Sequence, residues 1–292
     1  MSHQISNFEF VKGHGLGNDF ILFDQREFDV PEGALARMAR KICRRKFSIG
    51  ADGMLLVCEP TSPEYDIQLR IFNDDGSEAE MAGIGIIITA KYLYEHGVVQ
   101  NPKINIETKR GLVIAELVLD GRAVTAVRVD MGAPIVDPRK IPVKASKPVF
   151  DQPIFLEDKE FRYSAVSMGN PHAVIFTEDI NLAIVKRYGS FLESKTDLFP
   201  KKTNVEFVRV ITETEADIRV FERGVGLIQA SGTGASAAAV AGIEIGHFQK
   251  DNPITFHNME GDLIVTVTDG TVYMEGTATE VYRGHIDDLI LE

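Results

Sequence analysis

Two short glycine-rich stretches combine small residues with the start of a helix-like pattern. The first is "AGIG" at 82–85 and the second is "SGTG" at 231–234, and each runs into an apolar segment that stops at a glycine. Glycine lets the backbone approach a ligand closely, and the first N–H groups of a helix have no partner inside that helix. Such a helix start is suited to an anion such as a carboxylate. Because the device occurs twice, we predict that it binds a ligand and does more than form tight turns.

Several polar residues could belong to the same site. Two asparagines follow a glycine, at equivalent places in the two halves of the chain, and two more lie in "FNDDGSEAE" and "KKTNVEF". A single asparagine is more often a turn residue. Four of them beside glycine loops, with an adjacent acid and base in "FERGVG", predict recognition of a zwitterion. The residues are Asn18, Asn73, Asn170, Asn204, Glu222 and Arg223.

The two helix starts are part of an internal repeat that covers most of the chain. "INIETKRGLVIAELVLDG" resembles "ITFHNMEGDLIVTVTDG", and "GLGNDFILFD" resembles "SMGNPHAVIFTED", with nearly constant spacing between the paired blocks. Fixed self-similarity of this kind indicates repeated structural units. We predict a first domain over 1–130 and a second over 131–278. A closing strand over 279–292 is expected to return to the first domain. The aligned pairs are Ala82 with Ser231, Gly83 with Gly232, Gly85 with Gly234, Asn18 with Asn170, and Gly111 with Gly261.

Each half combines short strands with one long apolar helix near its middle. Segments such as "FILFD", "GMLLVCE" and "IQLRIF" have the composition or alternation of strands. Residues 83–96 and 232–245 are apolar on nearly every face, so these helices must be buried on all sides. The sequence therefore predicts an α/β protein with two pseudosymmetric domains. Each would be a curved mixed sheet wrapped around a central helix, with the active site in the cleft between the domains.

Composition excludes several classes of protein. The formal net charge is −12, and such a surface repels phosphate backbones, so we expect no nucleic-acid partner. There is no apolar run of about 18 residues and no signal-peptide pattern, so we expect no membrane partner. The only cysteines, Cys43 and Cys58, have no metal-ligand spacing with a histidine, and we predict no metal. Free thiols are typical of a reducing compartment, which favours a cytoplasmic location.

The motifs also resemble those of a known family. "GHGLGNDF", "FNDDGSEAEM" followed by "GIG", "MGNPH", "TNVEF" and "ERGVG" before "SGTGAS" are similar, in this order, to motifs of the diaminopimelate epimerases. The resemblance implies cofactor-independent inversion at the α-carbon of an amino acid, in the synthesis of lysine and peptidoglycan precursors. It also implies that the partner is a small amino acid or related carboxylate, and it allows a homodimer.

The same resemblance implies roles for individual residues. In the family one cysteine from each half flanks the α-carbon, and one thiolate removes the proton while the opposite thiol returns another. The backbone N–H groups of three residues would bind the reacting carboxylate, and the polar residues named above would hold the rest of the substrate. The three residues are Gly83, Gly232 and Thr233.

The sequence departs from the family pattern at the positions that carry the chemistry. The two cysteine positions are Ala82 and Ser231, and the asparagine after the first glycine is Ile84. Ile84 would lie among the ligand-facing residues, where an apolar side chain cannot donate a hydrogen bond to a carboxylate. Other changed positions in the two motifs are Ile87, Ile88 and Ser236.

These changes remove the usual acid and base. Alanine has no proton to exchange, and a serine hydroxyl near neutral pH can act only with a neighbouring base. His172 or Glu222 would have to reach Ser231 through space. Three interpretations remain open. The protein is an enzyme of this family that has been altered at its site, by nature or by design, and has little or no turnover; or it is a diverged isomerase or lyase that uses one base, such as Glu222, on a less polar acid. The third interpretation is a non-catalytic relative that binds amino acids.

Overall fold

The computed structural model describes residues 3–27 and 30–291. Residues 1, 2, 28, 29 and 292, which fall within the predicted domain segments, lie outside the described residues. The chain divides into two compact units. Unit 1 comprises residues 1–129 and 276–292, and unit 2 comprises residues 130–275.

Unit 1 is built from nine of the described strands and two helices. Its helices are α1 (Glu32–Ile42) and α2 (Gly83–Glu95), and a short 3-10 helix covers Gln25–Glu27. Its strands are β1 (His3–Gly15), β2 (Asn18–Asp24), β3 (Gly53–Cys58), β4 (Ile67–Asn73), β5 (Glu78–Ala79), β6 (Lys103–Thr108), β7 (Gly111–Asp120), β8 (Ala123–Asp130) and β18 (Thr279–Leu291).

Unit 2 has the same kinds of strands and α-helices in the same order, except that the counterpart of the last strand of unit 1 comes first. Its helices are α3 (Leu182–Glu193) and α4 (Gly232–Glu244). Its strands are β9 (Gln152–Leu156), β10 (Lys159–Ser167), β11 (Pro171–Phe176), β12 (Asn204–Thr212), β13 (Glu215–Glu222), β14 (Gly226–Ile228), β15 (Ile254–Asn258), β16 (Gly261–Val267) and β17 (Val272–Gly276).

The repeat appears in the strand pairing of each unit. In unit 1, β18 pairs antiparallel with β1, β1 with β2, β2 parallel with β3, β3 antiparallel with β4, and β4 parallel with β6. In unit 2, β9, β10, β11, β12, β13 and β15 pair in the same order with the same directions. β18 in unit 1 therefore corresponds to β9 in unit 2, and α2 corresponds to α4.

The central helices are buried on nearly all faces, as their sequences predict. In α2 the buried residues run from Gly83 to Ala90 without a break, and in α4 they run from Ala235 to Gly242. Small residues let neighbouring side chains pack closely against the helix: a Cβ on Gly242 would overlap the ring of Phe248. Each central helix is thus held by a sheet on more than one side, which fixes the position of its first turn.

Each unit also contains a second helix that the sequence analysis did not predict. The apolar residues of α1 fall at helical spacing and pack into a core with the rings of Phe8, Phe10 and Phe23. α3 packs likewise into a core with Phe161 and Phe207. The strands between two helices are buried on both faces, which explains their continuous apolar runs. Among the described residues, no helix is long and apolar enough to cross a membrane.

Candidate functional site

The two predicted helix starts have almost the same backbone conformation. Ala82 is the N-cap of α2, with φ −143° and ψ 108°, and Ser231 is the N-cap of α4, with φ −140° and ψ 117°. In both helices the first internal hydrogen bond runs back to the carbonyl of this cap residue, from Ile86 and from Ala235. The N–H groups of the residues between the cap residue and this first bonded residue have no partner inside the helix, so a bound anion can accept from them.

The two starts differ in their cap side chains. The Ser231 hydroxyl accepts a hydrogen bond from the N–H of Gly234 at 3.1 Å. The Ala82 methyl group cannot do this, and no described side chain caps α2. Serine is a good N-cap residue and alanine a poor one. The first turn of α2 therefore keeps one more N–H group uncapped than the first turn of α4.

The Ile84 side chain lies against β1. It is only 4% exposed, and a Cβ on Gly15 would lie 2.9 Å from its Cγ2. Ile87 and Ile88 are buried as well. A contact between the Ile84 side chain and a ligand stays a prediction.

Asn18 belongs to a charged cluster in unit 1. Its Nδ2 donates to Oδ2 of Asp52 at 3.0 Å, and Arg45 bridges Asp52 and Asp19. Burial disfavours the charged form of Asp19, but hydrogen bonds from Arg45 and Lys12 outweigh it and lower the pKa of Asp19 to about 2. Asp52 thereby holds the Nδ2 group of Asn18, and the amide oxygen of Asn18 is left to accept from another donor. The sequence analysis did not identify Asp52.

Asn73 ends β4 and is exposed. Its Nδ2 donates to the Ser77 hydroxyl at 2.9 Å, and its backbone N–H donates to the Ser77 carbonyl. Ser77 is itself held by Asp75. This turn holds the Asn73 amide next to the segment that leads into α2.

The predicted residues of unit 2 form two groups of contacts. Asn204 is 4% exposed, and its Oδ1 accepts from the backbone N–H of Arg223 at 2.9 Å. The Arg223 guanidinium is exposed and donates to the carbonyl of Lys201. Asn170 and Thr233 form the second group, with Nδ2 of Asn170 3.4 Å from the Thr233 hydroxyl. Glu222 ends β13 and is half-buried.

A buried acid beneath α4 was missed by the sequence analysis. Oε1 of Glu206 lies 2.7 Å from Nδ1 of His172, and both side chains are fully buried. Nε2 of His172 lies 2.8 Å from Oδ1 of Asn170. Thr233 and Ser231 continue this chain of polar atoms, with their hydroxyls 3.5 Å apart. The signal in the sequence was one glutamate inside the otherwise apolar strand "NVEFV".

The two cysteines are poor nucleophiles. Burial raises the pKa of Cys43 to about 12 and that of Cys58 to about 11. Near neutral pH roughly one thiol in a thousand or fewer would be ionised, and the thiolate is the reactive form.

We expect a thiol reagent such as Ellman's reagent to label neither cysteine in the folded protein within minutes. Both should react at once in urea, and rapid labelling of the folded chain would contradict this.

No group of three or more histidine, cysteine, aspartate or glutamate side chains that could hold a metal ion occurs in the part of the chain that the structure describes.

Comparison with known proteins gives consistent results over nearly the whole chain. Residues 10–136 and 164–281 match the family model for diaminopimelate epimerase. A diaminopimelate epimerase of Moorella thermoacetica is 46% identical over 278 residues, which cover 94% of this chain and 98% of that relative. A diaminopimelate epimerase of Bacillus cytotoxicus is 42% identical over 283 residues, covering 96% and 97%.

Solved structures share the fold at low sequence identity. A hydroxyproline epimerase of Agrobacterium vitis superimposes with a TM-score of 0.75 at 14% identity, covering 96% of this chain and 92% of that one. A phenazine biosynthesis protein of Bacillus anthracis superimposes with a TM-score of 0.73 at 16% identity, covering 97% and 99%. This α/β fold of two repeated domains is therefore shared by proteins whose names give different functions.

Proposed function

This chain belongs to the diaminopimelate epimerase family, and on that premise we propose that it binds diaminopimelate or a closely related amino acid and epimerises it slowly or not at all. One observation carries the proposal. The two helix starts keep nearly identical backbones, while their cap residues, Ala82 and Ser231, carry no thiol.

The binding half of the proposal rests on the donors that remain. N–H groups at the starts of α2 and α4 suit the reacting carboxylate of an amino acid. The asparagine amides can recognise its ammonium and carboxylate groups, since an amide both donates and accepts. In this proposal Asn18, Asn73, Asn170, Asn204, Glu222 and Arg223 hold the substrate, and Gly83, Ile84, Gly232 and Thr233 contribute backbone N–H groups.

The catalytic half rests on what the cap side chains cannot do. Inversion requires that a proton be removed from one face of the α-carbon and that another be delivered to the opposite face. The Ala82 methyl can do neither, and the Ser231 hydroxyl is a far weaker acid than a thiol. A positioned acid or base contributes roughly a hundredfold to ten-thousandfold to rate, so the loss of two should be severe.

The family relation also suggests a setting for this activity. We propose that the ligand belongs to the synthesis of lysine and peptidoglycan precursors, and that the protein works in the cytoplasm. The support is the family and the two unreactive thiols, which need no oxidising compartment.

A one-base isomerase or lyase is the second candidate, and one observation favours it. The Ser231 hydroxyl is connected through Thr233 and Asn170 to the buried His172. Glu222, which ends β13 half-buried, could take up a single proton from a less polar acid, and this chain of groups would orient the Ser231 hydroxyl. If Glu222 is that base, Glu222→Gln should abolish the residual activity, and full retention of activity would exclude it.

α-Proton exchange in deuterated water separates these possibilities. The purified protein is incubated with LL- and meso-diaminopimelate, the α-proton signal is followed by NMR, and binding is measured in parallel by calorimetry. Binding without exchange is the expected result. Exchange with inversion would show that the site works without thiols and would contradict the proposal. Exchange without inversion would favour the one-base candidate, and no binding would exclude diaminopimelate as the ligand.

A further inference from the structure

The buried pair of Glu206 and His172 is absent from the equivalent place in the other unit. In unit 1, β2 and β3 pair in parallel with Phe20 opposite Gly53. In unit 2, β11 and β12 pair in parallel with His172 opposite Asn204. Phe20 and His172 are therefore equivalent positions.

The partner of each residue follows from the same register. Leu55 lies two residues after Gly53, and Glu206 lies two residues after Asn204, so Leu55 and Glu206 are equivalent positions. Both side chains lie under the first turn of a central helix. A Cβ on Gly85 would be 3.0 Å from Leu55 Cδ2, and a Cβ on Gly234 would be 3.0 Å from Glu206 Oε1. Where unit 1 has Phe20 and Leu55, unit 2 has His172 and Glu206.

This comparison shows that the fold does not require charge at these two positions. Phe20 is 5% exposed and Leu55 is fully buried, so an apolar pair fills the same space in unit 1. Removing an acid and an imidazole from water is costly, and apolar replacements of buried ion pairs are often as stable or more so. The cost in unit 2 is increased because Oε2 of Glu206 has no hydrogen-bond partner among the described residues. The pair must therefore serve something other than stability.

Hydrogen-bond chemistry indicates what it serves. Oδ1 of Asn170 can only accept, so Nε2 of His172 must carry a proton. Nδ1 of His172 lies 2.7 Å from Oε1 of Glu206, and this contact fixes the plane of the ring.

The Nε2–H group of His172 fits one orientation of the Asn170 amide. A bare Nε2 would attract the amide NH2 group, whereas an Nε2–H attracts the amide oxygen. With Oδ1 held by His172, the NH2 group of Asn170 is directed towards Thr233, in the first turn of α4. The N–H groups of Gly232 and Thr233 lie in the same turn, ahead of the first internal hydrogen bond.

We propose that Glu206 and His172 are positioning residues that act through Asn170. They hold its amide so that its two N–H donors, with the first N–H groups of α4, face the carboxylate of an amino-acid ligand. The class of ligand rests on the proposed function above, whereas the orientation of the Asn170 amide does not.

Two sets of variants test this proposal. Glu206→Gln keeps the shape and removes the carboxylate, and the double variant E206L/H172F copies the apolar pair of unit 1 into unit 2. Leu55→Met, at the equivalent position of unit 1, is the matched control. We expect both test variants to fold and to bind meso-diaminopimelate roughly tenfold to a hundredfold more weakly, as for a lost hydrogen bond to a charged group. The control should bind as the unchanged protein does.

A spectroscopic readout separates positioning from a merely structural role. In protein labelled with nitrogen-15 at histidine and asparagine, Nε2 of His172 should carry a proton, and the NH2 protons of Asn170 should give a proximity signal to Thr233. In E206L/H172F that proximity signal should be lost. A bare Nε2 in the unchanged protein would overturn the proposal, as would undiminished ligand binding by E206L/H172F.

The proposed function can fail separately from this inference. If the unchanged protein binds no diaminopimelate, the ligand class is wrong. The ring-nitrogen and amide signals need no ligand, and they still decide whether Glu206 and His172 orient Asn170.

Discussion

Cysteine restored at both helix starts, as A82C/S231C, is expected to raise the rate of diaminopimelate epimerisation by several orders of magnitude. Each thiol would sit at the N-cap of a buried helix, where the helix dipole favours the thiolate and lowers its pKa. If each restored group increases the rate roughly a hundredfold or more, the activation free energy falls by at least about 5 kcal/mol. The measurement is the rate of inversion of LL-diaminopimelate, with deuterium incorporation followed in the same samples.

Single restorations and thiol-free backgrounds serve as controls. A82C alone and S231C alone each supply one group, so neither should support efficient inversion. The Cys43→Ser and Cys58→Ser changes remove the two native thiols and should leave the gain intact, because these thiols are buried and unreactive. If the double restoration leaves the rate unchanged, the block lies elsewhere. Ile84 is then the first position to change, because the family pattern has an asparagine there.

His172→Phe alone is expected to destabilise unit 2 far more than the double change E206L/H172F. The single change leaves the Glu206 side chain fully buried without its hydrogen-bond partner, which typically costs about 1–3 kcal/mol. The double change removes both polar groups and should recover most of that loss. Urea unfolding of the unchanged protein and of the single and double variants gives the coupling free energy between the two positions.

The matched single change in unit 1 is Phe20→Leu, which keeps the site apolar and should cost no more than an ordinary core substitution. Equal losses for His172→Phe and E206L/H172F would show that Glu206 is not left unpaired, and would argue against an energetic coupling between the two side chains.

The sequence alone was sufficient for the repeated architecture. The matched spacing of glycines and the all-round apolar character of 83–96 and 232–245 predicted the two central helices. Both begin at the predicted residue and end one residue earlier than predicted. α1 was missed although Ala34, Leu35 and Met38 have helical spacing.

Individual side-chain environments could not be predicted in the same way. The sequence gives Ile84 a place between two glycines, but only the fold reveals that its side chain turns towards Gly15. Glu206 is one polar residue in an apolar strand, and its meaning depends on His172, 34 residues away in sequence. Its contrast with Leu55 became visible only when strand registers aligned the two repeats residue by residue.

The pairing of β18 with β1 has a consequence for how the chain folds during synthesis. Unit 2 is one continuous stretch, 130–275, so all its strands can pair as soon as that stretch leaves the ribosome. Unit 1 needs β18, which is made after the whole of unit 2. Until then one edge of β1 has no partner, and an open strand edge invites pairing with other chains. The amino-terminal unit is therefore begun first and completed last, with an edge exposed to aggregation for the time that unit 2 takes to be translated.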